Sequence, residues 1–201
     1  MIMTLDFFGS SFVCYDENMP DLSTSIPELV LTNPVPERDA VFALSWFDSE
    51  FGRDTLLKMG NAPDEIHEPS LEGELATIEE FSTLENDGKQ KTWMMRYGEA
   101  TIGAAWIELV ENHGVEAPSV HLMIGDPIFR GKGLGKAAMS AMINYLKENG
   151  NEFIYSRHLV SNEAVTGLNH SLGFSKDGQP YVDGSGLEWQ NIKLSLKSYS
   201  S

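Results

Sequence analysis

Apolar residues recur at three- and four-residue steps through Leu71, Leu75, Ile78, Phe81 and Leu84, the spacing of a helix with one buried face. An earlier helix is predicted to begin near Pro36, with Val41, Leu44 and Phe47 on its inner side and proline in its first turn. A longer helix is predicted over residues 134–148, closed by Asn149-Gly150. A short one follows Asn162, runs over residues 163–172 and ends at Gly173. Strands are predicted at residues 28–32, 92–97, 101–110, 119–124 and 152–160. Turn formers separate them, notably Asn86-Asp87-Gly88, Gly98 and Asn112-His113-Gly114. Residues 174–182 and 187–196 read as a closing antiparallel pair around Asp183-Gly184-Ser185-Gly186. Residues 51–69 show no assignable period, and residues 1–25 mix aromatics with turn formers.

Three successive strands joined by short turns predict an antiparallel meander. Strand 119–124, helix 134–148 and strand 152–160 predict one parallel step with a right-handed crossover. The fold class is therefore mixed α/β (α+β), a mostly antiparallel sheet with one parallel βαβ step. Residues 1–25 are expected to form an arm or extra element, and residues 26–201 the domain proper. Composition adds exclusions. The chain is 41% hydrophobic and 22% charged, as globular domains are. Its net charge of −16 argues against general nucleic-acid binding. That charge suits a cationic acceptor and equally suits a solvated acidic surface. No apolar run is long enough to span a bilayer and no signal peptide is expected. A single cysteine, Cys14, rules out an internal disulfide and a cysteine-based zinc cluster. A cytoplasmic protein without a metal is the expectation, and monomer and homodimer both stay open.

The stretch Arg130-Gly131-Lys132-Gly133-Leu134-Gly135 joins a strand to the longest helix. Glycines there leave main-chain N–H groups exposed at the positive end of a helix, a site for a phosphate. It is not a nucleotide P-loop: Gly135-Lys136 is followed by Ala137, and Arg130 stands where the first glycine belongs. Gly133, Gly135 and Ala138 satisfy a dinucleotide fingerprint on paper. Pro127 interrupts the strand that should lead into it, and Glu152 precedes the second strand rather than ending it. Dinucleotide binding is rejected.

Arg130-x-x-Gly133-x-Gly135 resembles the acetyl-CoA signature R/Q-x-x-G-x-G/A of the GNAT N-acetyltransferase superfamily. The longer string from Ile124 to Gly135 is similar to the ribosomal-protein and amino-sugar branch. Asn162, followed by Leu172-Gly173-Phe174, resembles a second motif of that family, and the element order over residues 28–196 agrees. The resemblance implies a central strand pair that splays to admit the pantetheine arm of acetyl-CoA. It implies a pyrophosphate held by the main chain of Gly131, Lys132, Gly133, Leu134, Gly135 and Lys136, with added charge from Arg130 and Lys132. It places the pantetheine near Met123, Ile124 and Gly125, with Ile124 N–H as donor to the thioester oxygen. Asn162 and Asn169 become polar contacts for the cofactor. Two positions depart from the family: Asn169 stands where a proton-donating tyrosine is common, and Val165 where a serine is frequent.

Acetyl transfer to an amine needs a group that accepts the ammonium proton. His121 is the leading candidate, sharing a strand face with Ser119 and Met123. Glu108, on a face with Trp106 and Val110, is the second, as base or as anchor for a cation; its apolar neighbours are expected to raise its pKa. Trp93 and Trp106 suit core packing first and an acceptor wall second. The acceptor segment implied by the family spans residues 39–69, where Asp48, Glu50, Asp54, Asp64, Glu65 and Glu68 suit a cation or a solvated loop. The expected function is an acetyl-CoA-dependent N-acetyltransferase acting on a protein N-terminus, amino sugar, polyamine or small amine. The alternative is an acyl-CoA-binding module with a degenerate site.

Overall fold

The computed structural model describes residues 20–48, 50–197 and 199; Cys14 and most of the expected arm lie outside them. Strand β1 (Leu22–Ser23) pairs with β2 (Leu29–Thr32), and three helices follow, α1 (Pro36–Phe47), α2 (Glu50–Lys58) and α3 (Leu71–Asn86). The meander is β3 (Gln90–Tyr97), β4 (Ala100–Glu108) and β5 (Ser119–Ile124). A 3₁₀ turn, Pro127–Phe129, leads into α4 (Leu134–Glu148), then β6 (Phe153–Leu159) and α5 (Glu163–Ser171). The chain closes with β7 (Ser175–Lys176), β8 (Tyr181–Val182) and β9 (Glu188–Ser195).

The strands form one sheet in the order β1-β2-β3-β4-β5-β6-β9-β7, with β8 also on β9. All neighbours are antiparallel except β5 and β6. The mixed sheet and single parallel step expected from the sequence are present. The expected closing pair is interrupted: residues 174–182 give two short strands, both antiparallel to β9. Gly178, at φ +79°, and Pro180 lie between them; a left-handed glycine and a proline without an N–H break a ladder.

Two apolar layers sandwich the sheet. Helix α4 buries Leu134, Ala138, Met142, Ile143 and Leu146 against Trp93, Met95, Ile107 and Val120. On the other face, Ala40, Ala43 and Trp46 of α1 and Ile78 of α3 cover Met94, Ala104 and Met123. Asp39, wholly buried at the start of α1, accepts from Val35 N (2.7 Å), Arg38 and Thr101 Oγ1 (2.8 Å). This acid of the expected acceptor segment is thus a structural anchor. Among the described residues no helix is long and apolar enough to cross a membrane.

Candidate active site

The parallel pair supplies the geometry of the site. Strands β5 and β6 are in register only at Ser119↔Tyr155 and then diverge. In β5 the antiparallel alternation assigns every second residue's main chain to β4. Gly125 N donates to Ile102 O (2.9 Å), so Met123 is also directed at β4 while Leu122 and Ile124 face the gap. The main-chain contacts expected at Met123, Ile124 and Gly125 therefore shift in register: Leu122 and Ile124 are the residues presented to the gap. Gly125 has a packing reason instead, since a Cβ there would lie 2.2 Å from the Trp46 ring.

The glycine loop adjoins the open end of this gap. Gly131 and Gly133 hold φ of +70° and +80°, a left-handed backbone that disfavours any side chain. The first N–H paired at the start of α4 is that of Ala137, to Gly133 O (3.0 Å). Among the described residues, the N–H groups from Gly131 to Lys136 donate to no backbone carbonyl outside the helix's own ladder. This run suits an anion. Gly135 is less constrained: a Cβ there would meet Ile124 and Leu122 at ordinary contact distances, 3.6 Å and beyond.

Arg130 departs from its expected role. Its N–H donates to Pro127 O (3.1 Å). Its guanidinium donates to Ile124 O (Nε, 2.9 Å, and Nη2) and to Thr55 Oγ1 (3.1 Å), and lies 4.5 Å over the Phe51 ring. It therefore clamps α2 to the end of β5 rather than reaching into the phosphate cradle. Lys132 sits 5.4 Å over the Phe129 ring.

A cavity of about 230 Å³ passes through the sheet beside the gap. On the α4 and α5 side it is bounded by Val120, Leu122, Met139, Ser156, His158 and Asn169. On the other side stand Trp106, Glu108, His121, Arg157 and Trp189, with Lys58 and Met59 at the end of α2. A larger cavity of about 600 Å³, between α4, the end of α5 and β1, includes Lys136 and Ser140 but none of the His121 group.

Sheet register assembles the His121 group. Trp106 lies opposite His121 and Glu108 opposite Ser119. The Trp106 and His121 rings stack, 5.4 Å apart and 19° from parallel. His121 Nε2 is 3.6 Å from Glu108 Oε2 and 2.9 Å from Ser119 Oγ. Ser119 Oγ donates to Glu108 Oε2 (3.2 Å), and Asn112 Nδ2 donates to Glu108 Oε1 (3.1 Å). With Ser119 donating to the carboxylate, His121 Nε2–H donates to Ser119, leaving Nδ1 as the basic nitrogen of the neutral ring. The expectation of a raised Glu108 pKa is overturned. Burial pushes the carboxyl up, but His121 and the hydrogen bonds from Asn112 and Ser119 outweigh it and hold the group at about 2. Glu108 is thus a permanent anion beside His121 and a weak base.

The second motif is structural at its start. Asn162 caps α5, accepting from Val165 N (3.3 Å) and donating to Lys58 O (3.3 Å). Asn169 is buried, and its Nδ2 lies 3.4 Å from His158 Nδ1. Burial, with Lys176 nearby, pushes the His158 pKa down, which favours the neutral ring. Sequence reasoning missed Ser119 as a bridge, and missed His158 and Arg157 altogether; the polar residues of β6 at Ser156, Arg157 and His158, amid an apolar strand, were the available signal. Trp93 is wholly buried, while Trp106 both packs on the core and walls the cavity.

A family model described as "Acetyltransferase (GNAT) family" matches residues 55–174. Solved structures share the fold. The ribosomal L7/L12 alpha-N-protein acetyltransferase RimL, in complex with coenzyme A, is 14% identical over 88% of this chain and 98% of its own, with a TM-score of 0.72. The microcin C7 self-immunity acetyltransferase MccE, in complex with acetyl-CoA and AMP, is 15% identical over 85% and 93%, with a TM-score of 0.69. The spermidine N-acetyltransferase from Vibrio cholerae, in complex with CoA and spermine, is 16% identical over 87% and 99%, with a TM-score of 0.65. No curated protein sequence matches the chain.

Proposed function

Because this chain belongs to the acetyltransferase (GNAT) family, we propose that it transfers an acetyl group from acetyl-CoA directly to a primary amine, with His121 as the general base. The observation that carries this reading is the cavity that crosses the sheet beside the β5–β6 gap. Its α4 side adjoins an anion cradle, and its other side holds an imidazole fixed by a carboxylate and a stacked indole.

The residues present fit acetyl-CoA on three grounds. The left-handed glycines let a pyrophosphate approach the main chain of residues 131–136. The gap leaves Leu122 and Ile124 main-chain groups for an extended amide-bearing arm, which adds to the sheet edge as a strand would. Arg130 holds the Ile124 carbonyl, fixing from its far side the residue whose own N–H serves as donor to the thioester oxygen. When bound, acetyl-CoA supplies the activated acyl group. An amine attacks only when neutral, so His121 Nδ1 accepts its proton as nitrogen bonds to the acyl carbon. Glu108 stabilises the resulting imidazolium and, through Ser119, fixes the ring's tautomer. Stacking on Trp106 fixes its plane. Asn169 has no ionisable proton, so the departing thiolate takes its proton from solvent or from the imidazolium.

Protein N-termini, amino sugars, polyamines and small amines are the acceptor classes proposed. The test is thiol release from acetyl-CoA with a panel of these amines, with the acetylated product identified by mass spectrometry. Acetylation of at least one class supports the reading. Tight coenzyme A binding with no acetylated product from any class would favour an acyl-CoA-binding module instead.

A further inference from the structure

Charge around the acceptor side of the cavity does not follow the charge of the chain. The whole chain carries −16, yet among the described residues Glu108 is the one acid lining this cavity, and it is engaged with His121, Ser119 and Asn112. Among the described residues the permanent cations that line it are Lys58 and Arg157. Lys58 is neutralised by Asp54 one helical turn away (2.7 Å). Arg157 is the unusual one. Strand alternation puts it on the same face of β6 as Tyr155 and Leu159, the face opposite His158. Its guanidinium lies 4.1 Å over the Trp189 ring, and Nη1 donates to Tyr181 OH (3.4 Å).

Among the described residues Arg157 makes no ion pair. Asp183 feels its charge: its carboxyl is held below the ordinary range chiefly by the Trp189 and Leu187 hydrogen bonds, with Arg157 adding to them. That carboxylate is already committed to Trp189 Nε1 (2.8 Å), Ser185 N (2.9 Å) and Leu187 N (3.0 Å). The arrangement therefore orients the arginine from two sides without neutralising it: Trp189 is held by Asp183, and Trp189 in turn carries the guanidinium. A guanidinium stacked on an aromatic face keeps its planar edge for a carboxylate or phosphate. If its only task were to pack on Trp189, a neutral side chain would do so without placing an unpaired charge beside a cavity.

Resting on the acetyl-transfer reading above, we propose that the acceptor is an amine that also carries an anionic group, a carboxylate or a phosphate, with that group bound by Arg157. Glu108 and His121 receive the ammonium end, and Arg157 on the facing strand receives the anion. The acceptor class is thus zwitterionic: an amino acid or amino phosphate, or a peptide N-terminus with an acidic side chain. A polyamine places positive charge against Arg157 and is disfavoured. The strongly negative surface then serves solubility, which is the ordinary meaning of net charge.

The test uses matched acceptors: ethanolamine phosphate against ethanolamine, and an Asp-Ala against an Asn-Ala dipeptide, both amidated at the C-terminus so that only the first carries a carboxylate. Each is assayed for thiol release and, separately, for calorimetric binding to the coenzyme A-loaded protein. One charge-assisted bidentate contact predicts that the anionic member is preferred roughly tenfold or more. In Arg157→Gln that ratio falls to near one, and Arg157→Lys, which keeps the charge but not the planar edge, gives an intermediate ratio. Thermal melts of both variants confirm that they are folded. A neutral or cationic member preferred by the wild type, or an anion preference that survives Arg157→Gln, overturns the proposal while leaving acetyl transfer intact. Anion-selective binding that depends on Arg157, with no thiol release from any amine, supports the proposal and sinks the catalytic reading instead.

Discussion

Glu108→Gln removes one negative charge from a half-buried cluster while keeping the shape of the side chain. The Glu108 carboxyl is held at about 2, against an ordinary value of 4.5. At about 1.36 kcal/mol per tenfold change in proton affinity, that interval corresponds to about 3 kcal/mol favouring the folded state when the group is ionised. The sign follows from the direction. The folded-state pKa is depressed, so this stabilisation is present above about pH 4.5 and is lost as pH falls toward about 2. Glutamine behaves as a permanently neutral carboxyl and lacks the contribution at every pH. Urea denaturation followed by tryptophan fluorescence, from about pH 3 to about pH 5.5, measures the difference. The gap between wild type and variant is expected to be about 3 kcal/mol near pH 5.5 and about 1.5 kcal/mol near pH 3. A gap that stays constant with pH, or a variant as stable as wild type near pH 5.5, would refute the coupling of Glu108 to His121.

Further consequences follow from other parts of the site. Gly133→Ala forces a side chain into a φ of +80°, at a cost of about 1–2 kcal/mol; calorimetry should show weaker coenzyme A binding, whereas Gly135→Ala, whose Cβ meets only ordinary contacts, should bind nearly as wild type does. Arg130→Met removes the guanidinium bonds to Ile124 O and Thr55 Oγ1. Its melting temperature should fall by several degrees, as charge-assisted hydrogen bonds contribute about 1.5–3 kcal/mol, and its KM for acetyl-CoA should rise. Asn169→Ala leaves His158 Nδ1 without its partner in a buried setting, and a loss of about 1–3 kcal/mol in chemical denaturation is expected.

The sequence was most legible where period and punctuation agree. Helix α4 appears with the bounds its apolar spacing gives, Leu134–Glu148, and β5 spans Ser119–Ile124, as read from the chain. Helix α2 was not legible, because Glu50–Lys58 buries only Gly52 and Thr55 and so carries no apolar stripe. Gly52 is there for close packing: a Cβ would lie 2.5 Å from Trp46 O, a tertiary reason with no local sign. The faces of His121 and Glu108 followed from strand alternation, but their pairing did not. Register across β4 and β5 depends on how the ten residues between them turn, and only that register brings Ser119 opposite Glu108. The pKa error has the same origin, since the apolar neighbours were visible in sequence while the three polar partners of the carboxylate were not. Arg130 shows a further limit: the motif located the loop, but the direction of its side chain depends on Thr55 and Phe51, far away in the chain.

The most direct test of the account is the pH dependence of acetyl-CoA-dependent thiol release, measured with a productive amine for the wild type and for His121→Ala. The account predicts that kcat/KM in the wild type rises with pH as the general base becomes free to accept a proton. In His121→Ala it predicts a kcat lower by roughly 10²–10⁴-fold, with that rise abolished. A His121→Ala enzyme with wild-type kcat and an unchanged pH profile would contradict it.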